Sequence, residues 1–336
     1  MSTKNTQIKL AARPTGMPGP ECWKTEEVER PSPEEGEVLL QILQISLDPA
    51  MRGWMNDARS YVPPVRINQV MRALTLSRVI ESKSPDLKEG DLVTGTQGIQ
   101  EYAVAKPEDL NRVDPSLADP SRYLSVLGMT GMTAYFGLFD VGQPKPEDVV
   151  VVSGAAGAVG QIVGQLAKIH GCKTIGIAGG EEKCKFLTEE IGYDHAIDYK
   201  SQNVAKEIRR YAKKGLDVYF DNVGGEILEA ALFNLNRGAR IVICGAISQY
   251  NTTDVQGPRN YLSLLVNRAR MEGMVVFDYA ERYGEAVEKM AGWLKEGKLK
   301  SKEDIVQGKV TDFPETFLKL FSGGNLGKLI LEIEKV

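Results

Sequence analysis

Apolar and polar positions change their rhythm twice along the chain. Up to about residue 122, apolar residues come in short runs cut by proline, glycine and aspartate. Residues 37–45, 78–82, 91–95 and 100–104 read as strands, and no long helical period interrupts them. Short strands separated by turn formers predict a compact, barrel-like β domain. The pattern then becomes apolar runs alternating with helical periods. Residues 148–153 hold four consecutive valines, as expected of a strand covered on both faces. A helix follows over about 158–170, then a strand at 173–178, a helix at 181–191, a strand at 195–198 and a helix at 203–213. Strands at 216–221 and 240–245 enclose a further helix, and 274–277 closes the series. Such alternation predicts a parallel sheet wrapped on both faces. Helices at 281–296 and near 314–321 and a last strand at 328–333 return the chain to the first pattern. The expected division is 1–124, 125–304 and 305–336, the last segment rejoining the first domain.

Composition narrows the function. A chain of 336 residues favours two domains, and 42% hydrophobic residues can fill a sizeable core. The net charge of −4 argues against a nucleic-acid partner. Residues 149–167 carry no charge, but four glycines and two glutamines there suit a strand, turn and helix better than a membrane span. The start, Met1 to Gln7, has no apolar run, so the protein is expected to be cytoplasmic. Cys22, Cys172, Cys184 and Cys244 lack short paired spacing, and His170 and His195 are the only histidines. A metal site has almost no ligands to use, so none is expected.

The motif with the clearest chemistry is Gly154-Ala155-Ala156-Gly157-Ala158-Val159-Gly160, between a strand and a helix. One glycine permits the tight turn, another lets backbone approach a pyrophosphate, and Gly160 allows close helix packing. The helix N-terminus adds amides and a positive dipole end for phosphates. An NAD-binding enzyme usually places a carboxylate at the end of the second strand for the ribose 2′-hydroxyl. Here that strand ends Ala178-Gly179-Gly180, which permits a 2′-phosphate and hence NADP. Lys183 is a candidate partner for that phosphate. Its alternative is an ordinary solvated lysine, and Glu181 and Glu182 stand nearby.

Six segments together resemble the zinc-independent alkenal/one double-bond reductases of the medium-chain dehydrogenase/reductase type, a group that includes prostaglandin and curcumin reductases. They are Leu47-Asp48-Pro49-Ala50-Met51-Arg52-Gly53, the stretch 128–138, the glycine loop, Phe220-Asp221-Asn222-Val223-Gly224-Gly225, Cys244-Gly245-Ala246-Ile247-Ser248-Gln249-Tyr250, and Asn325-Leu326-Gly327-Lys328. The resemblance implies an α/β fold: a Rossmann doubly wound parallel sheet domain plus a GroES-like β-rich catalytic domain, usually as a homodimer. It implies NADPH as cofactor and an enal or enone as substrate, reduced by hydride transfer to the β-carbon. Carried over segment by segment, Gly154, Ala156, Gly157, Ala158, Val159, Gly160 and Gly179 would border the cofactor. Lys183 and Tyr199 would flank the 2′-phosphate, and Asn222 would lie along the dinucleotide. Cys244, Gly245, Ala246, Ile247, Ser248 and Tyr250 would form a loop on the nicotinamide side. Val275, Val276 and Phe277 would meet the nicotinamide edge, and Asn325 would reach the cofactor from the returning segment. Many members carry tyrosine where Ala50 stands, and Tyr61 is a candidate to fill similar space.

Conjugate reduction without a metal needs a donor for the developing enolate oxygen. A phenol, with an ordinary pKa of about 10, donates well at neutral pH. Tyr250 is the candidate, with the cofactor ribose sharing the task and either Tyr250 or water supplying the proton. Cys244 suits an apolar lining role, and Asp221 suits shaping a turn. Arg52 and Arg72 read as salt-bridge residues before substrate contacts. Met129, Thr130 and Met132 line an entrance or pack a helix start. NADPH:quinone reduction and non-catalytic NADPH sensing stand as the competing functions.

Overall fold

Residues 3–336 of the computed structural model are described; Met1 and Ser2, at the start of the expected first domain, lie outside them. The chain divides into two units, one of residues through Leu124 with Glu303–Val336, the other Ser125–Lys302. The first unit carries β1 (Lys4–Leu10), β2 (Trp23–Glu29), β3 (Val38–Ser46), β4 (Thr75–Ser82), β5 (Leu92–Gly95), β6 (Tyr102–Ala105) and β7 (Asn111–Arg112). The second carries β8 (Val149–Ser153), β9 (Lys173–Ala178), β10 (His195–Asp198), β11 (Leu216–Asp221), β12 (Leu235–Ile243) and β13 (Arg270–Gly273). The returning segment adds β14 (Glu303–Gln307) and β15 (Lys328–Glu332).

In the first unit β3 is central, pairing with β15, β4 and β6, all antiparallel. It is buried almost throughout, which is why it reads as one apolar run. Ile8, Ile42, Met51, Phe313, Phe317 and Leu331 form the core here, with Trp23 meeting Phe313 edge-on at 5.2 Å between ring centroids. One charged side chain belongs to this interior. Lys328 is fully buried, its Nζ donating to the Leu47 carbonyl at 3.0 Å and pairing with Asp48.

The second unit is a six-stranded parallel sheet in the order β10-β9-β8-β11-β12-β13. The central strands carry the apolar runs, as strands covered on both faces must. Strand order reverses between β8 and β11, the switch point at which α/β sheets bind ligands beyond the carboxyl ends of their strands. Helix Val204–Tyr211 starts where the Asn203 side chain accepts from the Lys206 amide. The fold is α/β: a Rossmann doubly wound sheet and a separate β-rich, GroES-like unit.

The last strand of the sheet corrects the expectation of a strand at 274–277. β13 lies four residues earlier, pairing Arg270 with Arg240 and Gly273 with Ile243. As an edge strand it is mostly exposed and polar, so it lacks the apolar signature, which falls instead on the packed turn after it. β1, β2 and β14 likewise lack an unbroken apolar run and were not expected. Among the described residues no helix is long and apolar enough to cross a membrane.

Candidate functional site

Gly154 follows β8 with φ +57°, a left-handed conformation that glycine adopts without strain. The turn closes when the Gly157 amide donates to the Gly154 carbonyl at 3.0 Å, and the Ala155 amide ties it to Ile177 of β9. Helix Gly160–Ile169 starts under this turn. A Cβ on Gly160 would lie 2.4 Å from the Gly154 oxygen and 2.6 Å from the Ala155 Cα, both backbone. Only hydrogen fits there. Ala156 is buried, while Gly157, Ala158 and Val159 stay partly accessible on the turn.

Two further braces fix this corner: Tyr193, which was not expected, and Asp221, which was expected to shape a turn. Tyr193 lies so close to Gly164 that a Cβ there would be 2.0 Å from its ring, and its hydroxyl donates to the Gly160 carbonyl at 2.6 Å. The glycine in the middle of an otherwise good helix was the available signal. Below the turn, the buried Asp221 carboxylate accepts from Ser153 Oγ at 2.8 Å, the Tyr219 hydroxyl at 3.0 Å, and the amides of Val223 and Gly224. Burial raises its pKa, with those donors opposing. All four donors are fixed, so Asp221 shapes the turn. Asn222 then clamps β8, its amide donating to Ser153 Oγ at 2.9 Å and Nδ2 to the Ser153 carbonyl at 2.7 Å.

At the next crevice position, β9 ends in Ala178, and Gly179 and Gly180 rather than a carboxylate come directly after it. Gly179 leaves room for the Tyr199 ring, which a Cβ would meet at 2.8 Å. Tyr199 remains 46% exposed, and Lys183 is half-buried on the short helix Glu181–Lys185.

On the other side, residues 244–250 fold onto the turn that Asp221 builds. The amides of Cys244 and Gly245 donate to the Asp221 carbonyl, those of Ile247 and Ser248 to Asn222 and Val223, and Ser248 Oγ to the Val223 carbonyl at 2.6 Å. The Tyr250 hydroxyl turns back over this loop and accepts from the Ala246 amide at 3.2 Å. Thus Asn222, Cys244, Gly245, Ala246, Ile247, Ser248 and Tyr250 form one interlocked rim beside the glycine turn. Cys244 as a residue is only partly covered, yet its thiol is pushed up to about 12 by desolvation and by Asp221. Enclosure of the sulfur itself decides its chemistry, and such a thiol is no nucleophile at neutral pH.

Beyond β12, the Met274 amide donates to Ile243 at 3.1 Å and leads into Val275, Val276 and Phe277. Val276 is buried, its carbonyl held by the Tyr283 hydroxyl at 2.9 Å, while Phe277 is 42% exposed. Asn325 belongs to the first unit, where its Nδ2 donates to the Gly327 carbonyl at 3.0 Å. In the same unit Arg52 donates to the carbonyls of Pro14 and Gly16 and to Asn56, and Arg72 to Pro63 while lying over Trp54. Both are braces of loops. Thr130 and Met132 are buried, so they pack the start of helix Met129–Phe136. Ala50 opens helix Ala50–Trp54, and Tyr61 is 54% exposed.

A parallel sheet with a glycine-built turn at its switch point, preceded by a β-rich unit, defines a medium-chain dehydrogenase/reductase. Comparison with known proteins agrees. A family described as the N-terminal domain of oxidoreductase matches residues 6–113, and one described as zinc-binding dehydrogenase matches 158–292. No three His, Cys, Asp or Glu side chains gather as metal ligands among the described residues. The chain is 42% identical to the NADPH-dependent curcumin reductase of Escherichia coli, over 98% of this chain and 97% of that one. It is 38% identical to the 2-alkenal reductase (NADP(+)-dependent) of Nicotiana tabacum, over 98% of each. The crystal structure of CurA in complex with NADPH from Vibrio vulnificus superposes with a TM-score of 0.93 at 42% identity, covering 98% of this chain and all of that one. The chain belongs to the zinc-independent medium-chain dehydrogenase/reductases, in the family of alkenal and curcumin reductases.

Proposed function

We propose that the protein reduces the C=C bond of α,β-unsaturated aldehydes and ketones with NADPH. The observation that carries this reading is the rim of residues 244–250, which holds the Tyr250 hydroxyl beside the dinucleotide turn. The glycine turn fits the cofactor, since its backbone is kept bare where a pyrophosphate must approach. Gly154, Ala156, Gly157, Ala158, Val159 and Gly160 would hold the pyrophosphate, Gly179, Lys183 and Tyr199 the 2′-phosphate, and the rim the nicotinamide side. When bound, NADPH would supply the hydride for the β-carbon. Tyr250 then donates to the oxygen on which charge gathers, and the α-carbon receives a proton from Tyr250 or from water. The amide holds the phenol oxygen in place, the kind of preorganisation that stabilises an oxyanion. The named relatives act on curcumin, 2-alkenals and, in Mentha piperita, (+)-pulegone, all of which suit this chemistry.

The test follows NADPH absorbance with 2-alkenals, cyclic enones and quinones, with NADH as control and identification of the saturated carbonyl. Tyr250→Phe is expected to lower kcat by about 10²–10³-fold, the usual cost of one oxyanion donor. Turnover of quinones alone sinks the reading in favour of quinone reduction. Tight NADPH binding without turnover on any substrate favours a sensor.

A further inference from the structure

The carboxylate missing from the end of β9 stands on the neighbouring strand. Asp198 ends β10 directly opposite Ala178, the last residue of β9. It does not point its oxygens outward unused. Oδ1 accepts from the Gly180 amide at 2.7 Å and from the Lys200 amide at 3.0 Å, and Oδ2 accepts from Ser201 Oγ at 2.8 Å. The Tyr199 amide donates to the Ala178 carbonyl at 3.1 Å, and the Tyr199 ring lies against Gly179. Gly180 has φ +98°, so the chain turns sharply at the amide that Asp198 holds. These contacts clasp the loop after β9, which leads to Lys183, to the loop after β10, which carries Tyr199. The Gly180 amide leads the donors that hold the carboxyl below the usual carboxylate range, so it is ionised at neutral pH.

We propose that Asp198 is a positioning residue for dinucleotide selectivity: by fixing the Gly180 and Lys200 amides it sets Tyr199 and Lys183 for a 2′-phosphate, and its charge is spent on the protein's own backbone. This rests on the NADPH reading above. In an NAD-binding site a carboxylate receives the ribose hydroxyl. Here a carboxylate one strand over holds the loops apart from that role.

The experiment measures binding of 2′,5′-ADP and of 5′-AMP by calorimetry, two probes that differ only in the 2′-phosphate. Neither requires turnover. Wild-type protein should prefer 2′,5′-ADP; no preference overturns the NADPH reading and this inference with it. Asp198→Ala should weaken 2′,5′-ADP about tenfold, the scale of one charge-assisted hydrogen bond, and 5′-AMP less than about twofold. Asp198→Asn keeps an acceptor for both amides and a donor for Ser201, so it should retain the preference. With the wild-type preference intact, equal losses for both probes in Asp198→Ala, or no loss at all, overturn the assignment. So does an Asp198→Asn variant that falls as far as Asp198→Ala.

Discussion

Replacing Lys328 by methionine tests how the β-rich unit holds two of its family segments together. The lysine sits at the head of β15 with no exposure, and its Nζ reaches the Leu47 carbonyl and Asp48, some 280 positions away in sequence. Asp48 also accepts from Ser46 Oγ, and its side chain is 26% exposed. Removing the ammonium strands the Leu47 carbonyl, worth about 1–3 kcal/mol. Asp48 keeps Ser46 and water, so its share is closer to that of a surface pair, about 0.2–1 kcal/mol. Methionine refills most of the volume and returns part of this through apolar burial. The balance is a loss of about 2 kcal/mol. For a unit of this size, that lowers Tm by roughly 4–8 °C. The assay is thermal unfolding of wild type, Lys328→Met, Asp48→Asn and the double variant. The two single losses should fail to add, since both remove the same contact. A Lys328→Met protein as stable as wild type would refute the reasoning. It would mean that desolvating the ammonium costs as much as its partners return, the known alternative for buried ion pairs.

The glycine turn gives a graded prediction. Gly160→Ala places a Cβ 2.4 Å from backbone and should weaken NADPH binding strongly, with a stability loss of about 1–3 kcal/mol. Gly157→Ala meets its nearest atom at 3.2 Å and should do less of both, so equal effects in fluorescence titration and unfolding would contradict the geometry. The thiols predict a pH dependence. Cys172 is buried and pushed up to about 12 by desolvation, with Asp148 adding to the shift. Cys244 is likewise pushed up to about 12. The fold therefore keeps both protonated after unfolded thiols, from about pH 8.5, have ionised. The native state binds more protons in that window, so stability falls as pH rises from about 8.5 toward 12, by about 1.4 kcal/mol per pH unit per thiol. Cys172→Ala should flatten that slope relative to wild type in denaturant titrations at pH 8 and 10; an unchanged slope would mean the thiol does not titrate differently on unfolding.

What the sequence made legible follows from burial. β8, β9, β11 and the C-terminal half of β12 are largely covered on both faces, so their apolar runs stood out, and the loops at their ends could be located. β13 and β14 lie at sheet edges with water on one side, and their residues carry no such mark. The glycine turn was legible because its constraint is local: Gly154, Gly157 and Gly160 contact one another within seven positions. The long-range partners that make the turn rigid were not. Tyr193 meets Gly160 across 33 positions, and Asp221 meets Ser153 across 68, so no spacing rule could pair them. The shared segments of the family conceal the same distinction. Asp221, Asn222 and Lys328 stand in such segments; Asp221 accepts from four donors, Lys328 reaches Leu47 and Asp48, and Asn222 grips Ser153. Tyr250 stands in one too, and its oxygen accepts from the Ala246 amide. A motif match marks both kinds of residue alike. They separate by what each polar atom touches: Asp221, held by Ser153, Tyr219 and two amides, and Lys328, held by Leu47 and Asp48, build the framework on which the turn and the strands rest.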